Sequence, residues 1–286
     1  MKILISLISI MSFFTSCQQQ ANEAIVATPR FSEPVKQLNV SYGPDSLQRM
    51  DVYLPAGRSA SITKSIVLLH GGGWNSGSKS DLVTYIDSFK RRLPDYAIFN
   101  LDYRLVSGNH IFPTQEQDVQ QAFEFIAANS AEWGISKNDV AVLGISAGAH
   151  LGMLQAYKYN APIKVKAVVD FFGPTDLTEM YRKPWHNMIP FLMQALTATT
   201  PDQKPEVYEQ SSPAYFVSPQ SPPTLIFQGS ADPVVAKSQS LLLEAKLNAA
   251  GVPNELVVYP NAGHGWYGST LTDSFDRIEA FLQKHM

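Results

Sequence analysis

The chain has one cysteine, Cys17, in 286 residues. No disulfide can form within it, and no cluster of cysteines is available to hold a zinc ion. Charge is sparse as well: Asp, Glu, Lys and Arg together make up 16% of the sequence, and the formal net charge is −3. So mild a balance excludes a basic surface for nucleic acid or an anionic membrane as the organising feature. The apolar run Ile3 to Phe14 is shorter than the roughly 20 residues that a membrane-spanning helix needs. There is no internal repeat, no dinucleotide-binding or other organic-cofactor motif, and no His-rich cluster for a metal. Histidine is scarce, six in all, so each can be weighed by its surroundings.

The first residues read as an export signal, not as part of a fold. Lys2 is a one-charge leader, Ile3 to Phe14 an apolar core, and Phe14-Thr15-Ser16-Cys17 follows at once. This stretch resembles the lipobox of bacterial lipoproteins, with Phe14 in place of the usual leucine. The resemblance implies a signal peptide over residues 1–16 and a lipid on Cys17, and so a membrane contact through an N-terminal lipid. Gln18, not aspartate, follows the cysteine, which resembles sorting to the outer membrane. The alternative is an ordinary cleaved signal that frees the protein. Removing residues 1–16 takes away Lys2 alone among the charged residues, leaving a net charge of −4. Residues 17–36 are polar and aperiodic and read as a tether. Residues 37–286 suffice for one large α/β domain.

Within that domain, strands and helices alternate, the pattern of a mostly parallel sheet with helices on both faces. Strands are expected at Gln37 to Tyr42, Asp51 to Leu54, Ser65 to His70, Ala97 to Leu101, from Val140, at Val165 to Phe171, Thr224 to Gln228 and Glu255 to Tyr259. After Pro113, Thr114 and Gln117 have the spacing of a capping box. The helix that follows puts Val119, Ala122, Phe123 and Ile126 on one face. Further helices are expected at about Lys237 to Ala250 and Thr270 to Lys284. Residues 173–223, interrupted by prolines, read as a small lid or rim without long amphipathic helices.

The chemistry concentrates where strands end. Val140 to Leu143 runs into Gly144-Ile145-Ser146-Ala147-Gly148 and then into helix-compatible residues. The Gly-x-Ser-x-Gly pattern at a strand-to-helix turn is a nucleophile elbow, in which glycines make room for the bend and expose the Ser146 hydroxyl. His70-Gly71-Gly72-Gly73-Trp74 follows another buried strand. Three successive glycines cost backbone entropy unless their backbone is needed in the open, and acyl transfer needs N–H groups aimed at a developing oxyanion. A phosphate loop is ruled out by Ser78, which separates Gly77 from Lys79-Ser80. Asp232 stands just after the strand Thr224 to Gln228, and His264, between Gly263 and Gly265, just after Glu255 to Tyr259. Asp176 is the competing acid, and its setting suits a helix cap or turn. The histidines at 70, 110, 150, 186 and 285 lack the setting of His264.

The order Ser146, Asp232, His264 with the HGGG-type loop resembles the α/β-hydrolase superfamily over about residues 37–286. The nearest likeness is to small microbial carboxylesterases with an HGGGW loop, the acetyl-xylan and feruloyl esterase group. Asp102-Tyr103-Arg104-Leu105 and the stretch Phe171 to Leu177 also resemble segments of that group. The resemblance implies a Ser146–His264–Asp232 triad and an oxyanion hole of the Gly72, Gly73 and Ala147 N–H groups. The expected substrate is a small-molecule or oligosaccharide ester with a short acyl group on a carbohydrate-derived or aromatic alcohol. Trp74, Trp185 and Trp266 are candidate walls of the substrate pocket. Open alternatives are a kynurenine-formamidase-like amide hydrolase, a serine peptidase of the prolyl-oligopeptidase type, and a non-catalytic binding protein on the same scaffold.

Overall fold

In a computed structural model, which describes residues 31–286, eight strands among those residues form one sheet in the order β1-β2-β4-β3-β5-β6-β7-β8. The expected signal peptide and Cys17 lie outside the described residues. β1 (Val35–Ser41) and β2 (Arg49–Leu54) pair antiparallel at one edge, and β2 is also antiparallel to β4. The other neighbours are parallel: β3 (Ser65–Leu69), β4 (Ala97–Leu101), β5 (Val140–Ile145), β6 (Ala167–Phe171), β7 (Thr224–Gly229) and β8 (Asn254–Tyr259). This is the α/β-hydrolase arrangement that the resemblance implied.

Every residue of β3, β4, β6 and β7 is buried, as parallel strands covered on both faces must be. Alternate residues face opposite layers. Val67 and Leu69 of β3 join a core with α2 (Thr114–Trp133), α3 (Ala147–Lys158) and α7 (Lys237–Ala249). Ile66 and Leu68 join a second core with α1 (Val83–Arg92) and α8 (Gly268–His285). The α2 face of Val119, Ala122, Phe123 and Ile126 is buried as its spacing requires. Its start differs from the expected capping box. Pro113 is the cap and makes no side-chain cap bond, since its ring has no acceptor, and Thr114 is the first helical residue, one place too late to act as the cap.

The insertion between β6 and β7 holds three short helices, α4 (Leu177–Arg182), α5 (Ile189–Thr197) and α6 (Pro205–Gln210). They sit beyond the carboxyl end of β6, the end at which open α/β sheets build their sites.

Candidate active site

Between β5 and α3 the chain turns within one residue. Ser146 takes φ 55° and ψ −118°, a strained conformation for a residue with a Cβ. The two flanking glycines are there for close approach. A Cβ on Gly144 would lie 2.3 Å from the Ala149 nitrogen, and one on Gly148 would lie 2.2 Å from the Leu69 carbonyl oxygen. Both obstacles are backbone, so no side-chain adjustment would relieve them.

The strain holds the Ser146 hydroxyl against His264, whose Nε2 lies 2.9 Å from the Ser146 Oγ. On the other side of the ring, Nδ1 is 2.7 Å from Oδ2 of Asp232. A carboxylate only accepts, so Nδ1 carries the proton and Nε2 is free to accept from the serine. Asp232 is itself fixed: its Oδ1 accepts the N–H groups of Val234 at 2.7 Å and Val235 at 2.9 Å. Gln228 donates to its Oδ2 at 3.3 Å, and the Asp232 side chain is fully buried. The structure thus brings the three residues selected from the sequence into one hydrogen-bonded chain. Asp176 stands apart, capping α4 by accepting the Glu179 N–H at 2.9 Å.

The glycine loop runs past the same serine. Gly72, Gly73 and Trp74 all have positive φ, at 109°, 57° and 62°. Gly72 turns its carbonyl away to accept the N–H groups of Asn75 and Ser76. Among the described residues, no group accepts the N–H of Gly72, Gly73 or Ala147, so all three donors are unused.

Two buried histidines hold this loop. His70 donates from Nδ1 to the Gly71 carbonyl at 2.7 Å and stacks on Tyr103, 4.3 Å between ring centres. His150, one turn along α3 from Ser146, donates from Nε2 to the Ser211 carbonyl at 2.6 Å. Its Nδ1 accepts the indole N–H of Trp74 at 3.2 Å. Burial pushes the His150 imidazole down to about 4, so it stays neutral and keeps the lone pair that Trp74 needs. The loop, the helix after the serine and the end of the insertion are tied together through this ring. The sequence puts His150 on the helix after the serine, without the setting of His264, and spacing does not show its partners, which lie 76 and 61 residues away.

Beside Ser146 lies a pocket of about 270 Å³. Phe172 and His264 face it, with Met180, Ile189 and Leu192 from the insertion and Val234 from the Asp232 loop. The expected tryptophan walls need correcting. Trp74 borders the pocket, but it is only 1% exposed and its N–H is taken by His150. Trp266 packs against Phe171, Phe172 and Tyr259 and donates to Ser274 at 2.8 Å. Trp185 donates to the Pro233 carbonyl at 3.1 Å. Neither of these two lines the pocket, because each indole finds its apolar and polar partners elsewhere. The walls are mainly aliphatic. Arg104, of the stretch Asp102 to Leu105, acts as a loop anchor and donates to the buried Asp118 of α2 at 2.9 Å.

The family model BD-FAE matches residues 50–247. The chain belongs to the BD-FAE family. Esterase LipC of Mycobacterium tuberculosis is 29% identical over 246 residues, 81% of this chain and 60% of that protein. Acetylxylan esterase of Xylanibacter ruminicola is 25% identical over 249 residues, 86% of this chain and 49% of that protein. The chain therefore spans less than two thirds of either curated relative. Among solved structures, a truncated carbohydrate esterase from gut microbiota aligns with a TM-score of 0.77 at 24% identity, covering 90% of this chain and 98% of that one. That likeness is one of fold.

Three further residues of the BD-FAE site went unread in the sequence. Phe172, at φ 45°, sets its ring 4.3 Å from that of His264. A Cβ on Gly229 would meet the Gly263 carbonyl oxygen at 2.2 Å, so this glycine lets the acid and histidine loops touch. Gln228 steadies Asp232 and, through Oε1, accepts from Ser240 at 2.8 Å. Gly229 left a signal as a glycine closing an apolar strand, and Phe172 lies in the family-like stretch Phe171 to Leu177; Gln228 left none.

Proposed function

We propose that this protein is a carboxylic ester hydrolase that works through an acyl-enzyme on Ser146. The observation that carries the reading is the hydrogen-bonded chain Ser146–His264–Asp232, at 2.9 and 2.7 Å, beside three unused N–H donors. Ser146 Oγ attacks the ester carbonyl while His264 Nε2 takes its proton. Asp232 keeps the imidazole in the needed tautomer and favours its charged form. The carbonyl oxygen, now negative, accepts from the N–H groups of Gly72, Gly73 and Ala147. His264 then protonates the departing alcohol, and water releases the acyl group by the same route in reverse.

The substrate we propose is a short acyl ester, acetyl above all, of a carbohydrate-derived or aromatic alcohol. Two features support a short acyl group: the pocket of about 270 Å³ and an insertion whose helices are too short to build a deep tunnel. Kinship with an acetylxylan esterase points the same way. A nitrophenyl-ester series from acetate to palmitate tests this. Highest kcat/KM is expected at acetate to butyrate, and a maximum at decanoate or longer would replace this reading with a lipase.

We also propose that the protein is exported and carries a lipid on Cys17, which the cysteine at the end of the apolar leader supports. Mass spectrometry of the mature N-terminus should find a lipid-modified Cys17. An unmodified chain beginning elsewhere would retire the anchor.

A further inference from the structure

Next to the pocket beside Ser146 lies a second, outer groove of about 600 Å³. Ile189, Leu192 and Val234 line both spaces, so the two adjoin. One wall of the groove is the outer side of α5 with its preceding residue, where Phe191 is 64% and Met188 60% exposed. The other wall is Pro233 and Val234, on the loop that carries Asp232. The hydrogen bond from Trp185 to the Pro233 carbonyl joins the two sides. No Asp, Glu, Lys or Arg of the described residues lines the groove, and its polar side chains are Asn75 and His186 alone.

An amphipathic helix normally turns one apolar stripe inward and presents polar residues outside. α5 does the first with Ile189, Met193 and Leu196 and departs from the second with Phe191. Large apolar side chains gathered at the mouth of a pocket mark a ligand groove more often than chance exposure. The chemistry of the occupant follows from the lining. A sugar ring would leave most of its hydroxyls without partners here, which is costly once water is displaced. An aryl or alkyl group would lose nothing and would cover Phe191 and Met188.

The proton transfer favours the alcohol side of the ester as the part that enters. The leaving alcohol must depart within reach of His264 Nε2, and the groove wall Pro233–Val234 belongs to the loop that orients that histidine. Resting on the hydrolase reading above and narrowing its two alcohol classes to one, we propose that the outer groove seats an aryl or alkyl arm of the leaving alcohol, so that short acyl esters of aromatic and other apolar alcohols are favoured over those of bare sugars.

The test uses acetates of unbranched alcohols from methyl to octyl, whose intrinsic reactivities are alike, with a polyether acetate of octyl length as the hydrophilic match. Each methylene removed from water is worth up to about fourfold, so kcat/KM should rise at least tenfold from butyl to octyl acetate and stay low for the polyether. Replacing both exposed walls, M188S with F191S, should flatten the rise to under about threefold, lowering octyl acetate turnover far more than methyl acetate turnover. An unchanged slope in the double variant would overturn the proposal. So would an equal rise with the polyether, or a rise with acyl length in its place. A flat alcohol series, with methyl acetate turnover and fluorophosphonate labelling both intact, would overturn the groove alone. Loss of turnover and labelling together would overturn the hydrolase reading and the groove with it.

Discussion

Asp232 is held by two backbone N–H groups on one oxygen and by His264 and Gln228 on the other. An asparagine there would satisfy the geometry but would offer its NH₂ or a weaker acceptor to the imidazole, leaving the wrong tautomer. Asp232→Asn should lower kcat by about four orders of magnitude. Asp176→Asn should stay within about tenfold of wild type, because asparagine caps a helix nearly as well as aspartate. Steady-state kinetics on one acetate ester decide between them; the reverse ranking would move the acid to Asp176. Both assignments were legible in the sequence, because strand ends and the order Ser, Asp, His are written there. The tryptophans were not. Whether an indole faces a pocket depends on which distant partners reach it first, as Tyr259 and Ser274 reach Trp266.

At the level of elements, the apolar runs and the two small-residue turns gave the parallel strands to within a residue or two. The short helices of the insertion were harder, since six or nine residues hardly establish a period. Strand β6 carries a feature that no pattern displayed. Asp170 is wholly buried there, accepts the Gly173 N–H at 2.7 Å through Oδ1, and leaves Oδ2 without a partner. Burial pushes its carboxyl up to about 7, against the lowering effect of the Gly173 N–H. In the unfolded chain the same group ionises near 3.8. Between these values the unfolded state holds fewer protons, so wild-type stability falls as pH rises from about 4 to 7. Asp170→Asn removes that dependence while keeping an acceptor for Gly173. The stability of the variant relative to wild type should therefore grow by on the order of 3 kcal/mol over the interval. Urea unfolding at pH 4, 5.5 and 7 checks this, and a constant difference would mean that Asp170 titrates as an ordinary carboxyl.

On the scale of the whole molecule, one sheet gathers residues far apart in the chain. Ser65 pairs with Ala97 on one side and Val140 on the other, and 118 residues separate the serine from its histidine. Spacing alone cannot foretell such pairings, so the fold class came from family resemblance and the strand order from the structure, whereas the buried strands and their turns came from the residues themselves. The arrangement predicts a single reactive hydroxyl, and a fluorophosphonate probe followed by peptide mass spectrometry reads it directly. The account predicts one adduct, on Ser146, formed by the wild-type protein and absent from Ser146→Ala, whose circular dichroism stays that of wild type. Failure of the folded wild-type protein to react, or an adduct that persists on another residue in Ser146→Ala, would contradict it.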